Sequence, residues 1–471
     1  MTRSASVLTE LNGRTAAARA VADALRGVQF VQEALRGFRA AGRLGGREAA
    51  LATEVGLGAV RHVVTIEHVL GSVARFCGGR TPPLLRAIMY TAAYQIIWMD
   101  RVPLFAAVDE AVELATREVG RRAAGMANAV LRRLTGAVAE RRVPWVRLEA
   151  RQVRVAWDQA CLFGLAVLPT AEGAGGASRH LAAATGERPA RYAELCARYG
   201  AEQAERVAWA GQAVPVTVLQ RNALRATPAE FAQDVHVAYG GSVEVAGDAA
   251  FVPATVAVTD AAPFLEGRVF VQDATAHAAA AALRARPGER VLDLCAAPGG
   301  KSVALALAMN DQGLVVACDT VPERLKRVSE NVARLGLSCV RTQVTTPAGV
   351  EPPAEGEPFD AALVDVPCAN TGVIARRPEA RLGLTPQKLD SLVKVQQVLL
   401  RKAAHAVRAG GRVVYSTCSL EPPENEQVVA AFLAANPTWH LDAAETTLPA
   451  WGPRPADWRD GGYFARLLRK E

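Results

Sequence analysis

The chain has 471 residues, of which 50% are hydrophobic and 21% charged, the balance of a folded globular protein with two or three domains. No apolar run is long enough to span a bilayer, which excludes a membrane-spanning helix. The first twenty residues have no apolar core followed by a small-residue cleavage site, so a secretory signal is not predicted. We therefore expect a cytoplasmic protein with no membrane partner.

Positive charge is concentrated in the first third of the chain. Residues 1–150 contain 21 Arg, no Lys and 13 acidic residues, a net charge of +8, whereas the whole chain has +7. Arginine presents a planar fork of donors that suits phosphate, and a basic domain attracts polyanions. The alternative is a general preference for Arg, since the chain has only six Lys. That alternative does not explain the uneven net charge, so the pattern predicts RNA contact by this third.

The eight cysteines do not indicate a metal site. They form no CxxC pair, and the chain has only seven His, so neither zinc nor another metal is predicted. A chain of this length needs no disulfides, and most of these cysteines are expected to be small core residues.

Residues 1–150 are predicted to form an all-helical bundle, because apolar residues recur at steps of three and four. The stretches with this period are Arg14–Phe38, Glu48–Phe76, Leu84–Trp98, Leu104–Ala115 and Met126–Leu134. In the last of these, Arg132 and Arg133 lie on the face opposite Val130 and Leu131.

The middle of the chain gives weaker signals. Residues 151–180 include the Gly- and Ala-rich run 170–178 and are predicted to be a linker. Residues 181–267 have a mixed pattern, with a helix over Tyr192–Ala210 and strands at Val214–Leu219 and Val243–Val245. We expect a small α/β extension there.

Residues 268–471 alternate short apolar strands with helices, the pattern of a parallel, doubly wound sheet. The predicted strands are Arg290–Leu294, Leu314–Asp319, Ala361–Val366 and Gly411–Thr417, and the predicted helices are Ser302–Met309, Pro322–Leu335 and Pro386–Val407. Such a sheet binds its ligand at the carboxyl ends of the strands.

The first of these strands leads into the loop DLCAAPGGKS at 293–302 and then into a helix. Glycine lets the backbone approach a ligand, and a helix N-terminus favours an anionic group. The ending GGKS is similar to a phosphate-binding P-loop, with Asp365 in the place of a Walker-B acid, but Cys295 stands where that motif needs its first Gly. Alternatively, the loop is a tight turn of an α/β protein that binds no ligand. The loop thus predicts nucleotide or cofactor binding without choosing the ligand.

Asp319 ends the next strand, about 20 residues beyond the loop, where ribose hydroxyls are commonly bound. Both NAD and S-adenosylmethionine have such a ribose, so Asp319 does not distinguish them. Alternatively, its side chain caps the helix that begins near Pro322.

Cys368 and Cys418 each follow a predicted strand, in DVPCANTG and YSTCSLEPPENE. Both therefore lie on the ligand-binding edge of the sheet, and Cys418 precedes a helix, a position that lowers the pKa of a thiol. A thiol is useful because carbon 5 of cytosine is a poor nucleophile. Addition of a thiolate to carbon 6 turns the ring into an enamine, after which carbon 5 can attack an electrophilic methyl group. The base must leave its stack to be attacked.

These three blocks, DLCAAPGGKS, DVPCANTG and YSTCSLEPPENE, resemble the signature blocks of the Sun/Fmu (RsmB-type) RNA cytosine-C5 methyltransferases. VFVQDATA at 269–276 and DGGYFARLLR at 460–469 resemble its flanking blocks, and MANAVLRRL and the segment around 87–115 resemble the NusB-like helical domain of the bacterial branch. The resemblance implies a Rossmann-like methyltransferase domain over 268–471, the extension over 181–267 and a NusB-like RNA-binding domain over 1–150. It also implies a monomer that methylates 16S rRNA from S-adenosylmethionine.

By this resemblance Cys418 is the nucleophile, Cys368 assists release of the product, and Asp365 contacts the cytosine and lies close to the cofactor. Asp319 would bind the ribose of the cofactor. The methionine end would be bound by Cys295, Ala296, Ala297, Pro298, Gly299, Gly300 and Lys301.

The sequence departs from the family pattern at three places. Val344 stands where an acid near the adenine ring is usual, Ala369 replaces a Ser, and a Trp is missing from 187–192. The first departure supports an alternative function, an RNA-binding assembly factor that has lost turnover; the retention of Cys368 and Cys418 argues against it. A P-loop ATPase is the third hypothesis, and it leaves Cys418 unexplained.

Overall fold

The computed structural model describes residues 11–345 and 358–471, so residues 1–10 of the predicted N-terminal domain lie outside it. The chain forms two compact units. One extends to Ala213 and includes Arg377–Gly383; the other comprises Val214–Arg376 and Leu384–Glu471.

The first unit is mainly helical. Its helices are α1 (Gly13–Leu25), α2 (Val31–Ala40), α3 (Gly46–Arg61), α4 (Val63–Ala74), α5 (Pro83–Trp98), α6 (Leu104–Glu118), α7 (Arg121–Ala137), α8 (Gly176–Ala184), α9 (Pro189–Tyr199) and α10 (Ala201–Ala210). The predicted helical period is confirmed, but each of the two longest stretches is divided into two helices. One of these breaks is at His62, between α3 and α4.

The segment 138–163 forms a three-stranded antiparallel sheet, although the sequence predicts helix to 150 and a linker from 151. Its strands are β1 (Val138–Pro144), β2 (Gln152–Arg154) and β3 (Gln159–Phe163), in the order β1-β3-β2. Val153, Cys161 and Phe163 are buried in the same core as the helices, and this packing explains why the segment is ordered. The units divide at Ala213, inside the segment 181–267 that the sequence predicts as one extension.

The second unit contains two sheets. A four-stranded antiparallel sheet has the order β5-β6-β4-β7, and a seven-stranded sheet has the order β10-β9-β8-β11-β12-β14-β13. The smaller sheet consists of β4 (Thr217–Arg221), β5 (Glu244–Ala246), β6 (Ala249–Val252) and β7 (Val269–Val271). The larger consists of β8 (Arg290–Leu294), β9 (Leu314–Asp319), β10 (Val340–Val344), β11 (Phe359–Asp365), β12 (Val407–Thr417), β13 (Trp439–Thr447) and β14 (Gly462–Arg469).

The helices of the second half of the chain are α11 (Pro228–Tyr239), α12 (Ala262–Leu265), α13 (Ala274–Ala281), α14 (Gly300–Ala308), α15 (Pro322–Leu335), α16 (Ala380–Gly383), α17 (Pro386–Ala406) and α18 (Glu426–Ala435). Of these, α16 belongs to the segment that packs with the first unit. Local signals set several boundaries. The Asp273 side chain caps α13 by accepting from the Thr275 N–H, and Gly336 ends α15 in the left-handed conformation.

The large sheet is the predicted doubly wound sheet: strands β8 to β12 are parallel, β14 is antiparallel to β12, and β13 is antiparallel to β14. Its central parallel strands β8 and β11 are mainly apolar because both faces are covered: Leu292 and Val364 pack into one core cluster, whereas Val291 and Leu363 pack into the other. From β8 the chain continues to β9 and β10, which lie on one side of β8 in the sheet, and then crosses to β11 on the other side of β8. The carboxyl ends of β8 and β11 therefore form the switch point at which such sheets bind ligands.

Within the described residues, no single helix has the length and apolar character needed to cross a membrane. One sharply bent pair, α3 with α4, meets those criteria only when the two helices are counted together.

Candidate active site

The sheet register brings the predicted site residues to one edge. Leu294 lies beside Cys318 and Val364, and Val364 lies beside Tyr415. The residues that follow these positions, namely Cys295, Asp319, Asp365 and Ser416, therefore line the carboxyl edge, and Cys418 comes two residues later.

The loop after β8 is held in a defined conformation. Cys295 has a φ of 73°, and the Ala296 N–H donates to the Cys318 carbonyl at 2.7 Å. Gly299 has a φ of 102°, and a Cβ at that position would lie 3.0 Å from a Val328 methyl carbon. Glycine is therefore required at 299 both by the backbone conformation and by the packing of α15 against the loop.

Asp293 lies fully buried beneath this loop. Its Oδ2 accepts from the Ser302 hydroxyl at 2.5 Å, whereas its Oδ1 has no hydrogen-bond partner among the described residues. Burial raises the pKa of Asp293 to about 7. A buried carboxylate oxygen without a partner is costly, so a ligand that donates a hydrogen bond there would be favoured.

Asp319 is also buried, at the end of β9. Its Oδ1 accepts from the Val321 N–H at 3.1 Å, so it supports the turn that leads into α15. Its Oδ2 lies 3.4 Å from the Arg324 guanidinium, which also donates to the Ala297 carbonyl at 2.9 Å. The interpretation as a local cap and the interpretation as a ligand-facing acid are therefore both compatible with this geometry.

Lys301 and Asp365 form an ion pair, with Nζ and Oδ2 2.7 Å apart. The other oxygen of Asp365 accepts from the Ser416 hydroxyl at 2.8 Å. Burial by itself would lower the pKa of Lys301, but the charge of Asp365 and its hydrogen bond raise that pKa overall. Lys301 is therefore a partly buried ammonium at neutral pH. It lies on the wall of the pocket that Cys418 also lines.

The two predicted cysteines meet at the edge of the sheet. Their Sγ atoms lie 3.2 Å apart, and the Cys418 Sγ is 3.2 Å from the Asn370 Oδ1. Cys368 is buried, and its hydrogen bond with Cys418, together with burial, raises the pKa of the Cys368 thiol well above its ordinary value. Cys418 is partly exposed in the pocket. In contrast, Cys161, Cys318 and Cys339 are buried core residues, as predicted for most cysteines of the chain.

The block that follows Cys418 fixes the two cysteine loops. Glu424 is fully buried and accepts from the Ala369 N–H at 2.9 Å, the Gln396 amide at 2.8 Å and the Ser419 hydroxyl at 2.5 Å. It therefore joins the Cys368 loop to the Cys418 loop through charge-assisted hydrogen bonds. The Ala369 backbone makes this contact, so the loss of the usual Ser side chain leaves it intact.

The pocket beside Cys418 has an empty volume of about 410 Å³. Besides the predicted Lys301 and Asp365, it is lined by Asp273, Thr275 and the run 460–464. These residues are not among the site residues predicted from the sequence. The sequence feature that could have identified them is that they belong to the two flanking blocks, at 269–276 and 460–469.

Val344 lies at the end of β10, directly beside Asp319 in the sheet register, and its side chain is 54% exposed. The position predicted to lack the family acid is therefore at the same edge of the sheet as Asp319. Among the described residues, no cluster of three or more His, Cys, Asp or Glu has a metal-binding arrangement.

Two family models match segments of the chain. The family model described as 16S rRNA methyltransferase RsmB/F matches residues 280–451, and the NusB family model matches residues 11–136.

Relatives match over most of the chain. A probable ribosomal RNA small subunit methyltransferase B of Synechocystis sp. is 31% identical over 403 residues, which is 84% of this chain and 83% of that protein. Ribosomal RNA small subunit methyltransferase B of Erwinia tasmaniensis is 31% identical over 433 residues, covering 91% and 92% of the two chains. Among solved structures, the protein PH0851 superposes with a TM-score of 0.71 at 22% identity, covering 98% of this chain and all of that one. This last likeness supports the fold alone.

Proposed function

Because the chain belongs to the ribosomal RNA small subunit methyltransferase B family, we propose that it transfers a methyl group from S-adenosylmethionine to carbon 5 of a cytosine in 16S rRNA, through a covalent adduct with Cys418. One observation carries this proposal: the thiols of Cys368 and Cys418 lie 3.2 Å apart at the edge of the sheet, and Cys418 lines a pocket with the Lys301–Asp365 ion pair. Methylation of a base nitrogen or of a ribose hydroxyl needs no thiol, whereas carbon 5 needs one.

The residues at the switch point fit the methyl donor. The backbone of 295–301 leads into the N-terminus of α14, which suits the methionine carboxylate. The unpartnered Oδ1 of Asp293 offers an acceptor beneath the same loop, and Asp319 offers a carboxylate for ribose hydroxyls. When bound, S-adenosylmethionine supplies an electrophilic methyl group.

Cys418 acts as the nucleophile. Its sulfur adds to carbon 6 of the flipped cytosine, which makes carbon 5 nucleophilic. The Lys301 ammonium lines the same pocket as Cys418, so it stabilises the negative charge that develops on the ring. Asp365 contacts the cytosine and is held in place by Ser416 and Lys301.

Cys368 assists release of the product. Its raised pKa keeps it a neutral thiol at physiological pH, and its Sγ is 3.2 Å from that of Cys418. It can therefore donate a hydrogen bond to the sulfur that leaves carbon 6, which stabilises the departing thiolate. Without this donor, the covalent adduct would persist.

The N-terminal unit contributes RNA binding. The residues 11–136 match the NusB family, and the first third of the chain has a net charge of +8. On α7, Val130, Leu131 and Leu134 are buried while Arg132 and Arg133 are exposed, as their spacing predicts. The exposed guanidinium groups are available to phosphates.

Transfer of labelled methyl to small-subunit rRNA that lacks the modification tests this function. We expect label in 5-methylcytidine after digestion to nucleosides. Cys418→Ala should remove the activity, whereas the matched control Cys77→Ala, at an exposed cysteine, should retain it. Binding of the rRNA without any methyl transfer by the intact protein would instead favour the assembly factor.

A further inference from the structure

Two acids from separate parts of the chain meet at one arginine beside the Cys418 pocket. Arg376 donates from Nε to the Asp460 Oδ2 at 2.5 Å and from Nη2 to the Asp273 Oδ2 at 3.2 Å. Its third hydrogen bond goes to the Val216 carbonyl at 3.0 Å. Asp273 is the cap of α13, and Asp460 lies two residues before β14. Asp273 and Asp460 come from the flanking blocks, whose residues have no role in the methyl transfer proposed for Cys418.

The arrangement can take up a proton. The side chains of Asp273 and Asp460 are both more than nine-tenths buried, and one cation faces two carboxylates. Burial raises the pKa of Asp460 to about 7; Arg376 opposes this rise, and Asp273 reinforces it. Ionised Asp460 has an Oδ1 without a hydrogen-bond partner among the described residues, and protonated Asp460 can donate to Asp273. The pair can therefore take up one proton and retain it.

The backbone fixes Asp460 next to the nucleophile. The Gly372 N–H donates to the Cys418 carbonyl at 3.0 Å, and the Gly461 N–H donates to the Gly372 carbonyl at 2.8 Å. The Thr275 hydroxyl also donates to the Asp460 carbonyl at 2.7 Å. Asp273, Asp460 and Cys418 line the same pocket, so a base attached to Cys418 would come next to the acid pair.

The other ionisable groups of the site are already engaged. Both oxygens of Asp365 are bonded, to Ser416 and Lys301, and Lys301 is protonated. Glu424 accepts three hydrogen bonds, and Cys368 is a neutral thiol. Among the described carboxylates of this pocket, Asp460 has a buried oxygen, Oδ1, to which no hydrogen bond is donated.

We propose that Asp460 is the base that removes the proton from carbon 5 after methylation, with Asp273 and Arg376 holding it in position. This inference rests on the proposed function. In the step, the C5–H bond breaks and its proton moves to Asp460 Oδ1. The electron pair of that bond forms the C5–C6 double bond, the C6–S bond breaks, and the sulfur of Cys418 leaves as a thiolate beside the Cys368 thiol. The proton then passes from the acid pair to water.

Asp460→Asn tests the assignment in a single-turnover reaction of the full chain with rRNA and labelled methyl donor. Product release should slow by about 100-fold or more, and a denaturation-resistant protein–RNA complex that carries the label should accumulate. Asp457→Asn, at an acid bonded to Arg454 outside the pocket, is the control and should behave as the wild type. If Asp460→Asn released product at the wild-type rate while the wild type made 5-methylcytidine, the assignment of the base would be wrong. If the wild type made none, the proposed function itself would fail.

A second variant covers the case in which Asp460→Asn does not fold. Wild-type release should fall as pH drops through about 7, because a base must be unprotonated to accept. Asp273→Asn removes the neighbouring negative charge that raises the pKa of Asp460, so the fall in release rate should occur at lower pH. The other charged or titratable groups around the pair, Arg376, Lys301, Asp365 and Cys418, are unchanged in this variant. If the release rate fell at the same pH in Asp273→Asn and in the wild type, the assignment would be wrong, since a purely structural role of Asp273 predicts no shift.

Discussion

Cys368 and Cys418 follow neighbouring parallel strands, and their Sγ atoms lie 3.2 Å apart. Glu424 fixes this relationship, because it accepts hydrogen bonds from the backbone beside Cys368 and from the side chain of Ser419. The two thiols are therefore held together before any substrate arrives. A preformed pair of this kind avoids the cost of ordering the site during the reaction.

The pair should also be sensitive to oxidation. Hydrogen peroxide would oxidise the Cys418 thiolate to a sulfenic acid with release of hydroxide, and Cys368 would then displace the oxygen as water to give a disulfide. We expect reversible loss of methyl transfer, with activity restored by a dithiol reductant. Peptide mapping should identify the 368–418 bond, and Cys368→Ser should form none. Oxidised, inactive wild type that lacks this bond would contradict the prediction.

Restoring an acid at position 344 should tighten cofactor binding. Val344 is exposed beside Asp319, where the resemblance places an acid near the adenine ring. A charged acceptor for the adenine amino group should lower the Kd of S-adenosylmethionine for Val344→Asp by about 10-fold, with repulsion from Asp319 limiting the gain. Calorimetric titration measures this, and the neutral Val344→Asn is the matched control. Unchanged or weaker binding by Val344→Asp would show that the backbone alone serves the adenine.

RNA binding should depend on salt through the arginines of the N-terminal unit. Replacing Arg132 and Arg133 by Gln removes two exposed charges from α7. The slope of the logarithm of affinity against the logarithm of salt concentration should become shallower by about 1 to 2. Arg206→Gln, at an exposed arginine of α10 paired with Glu202, is the control. An equal slope in the double variant and the wild type would remove α7 from the RNA interface.

The sequence predicts β8, β9, β11 and β12 because burial on both faces leaves an apolar run in each. The parallel strand β10 is not among the predicted strands, since polar residues such as Arg341 and Thr342 are exposed in it. The bounds of β8 and β9 are as predicted. The strand β13 is missed because most of its residues, among them His440 and Leu441, are exposed and give no apolar run or alternation. The sheet in 138–163 is missed because its order comes from packing on the helical core, which a local pattern does not reveal.

The residues of the candidate site also include some that the sequence identifies and some that it does not. The cysteines and the loop 295–301 are recognisable because each follows a strand in a distinctive block. The cluster of Asp273, Arg376 and Asp460 is not, because its members lie 84 or more positions apart and meet only through the fold. The sequence identifies the blocks that contain Asp273 and Asp460, but only the tertiary structure shows that both residues line one pocket.

The assignment of Cys418 as the nucleophile is tested most directly by comparing two variants on unmodified small-subunit rRNA with the methyl donor present. After denaturing electrophoresis, Cys368→Ala should show a covalent protein–RNA band, because Cys418 can still add to the base but the adduct is not released. Cys418→Ala should show no such band and no methyl transfer, while its binding of S-adenosylmethionine is retained. A covalent band in Cys418→Ala would contradict the assignment of Cys418 as the nucleophile.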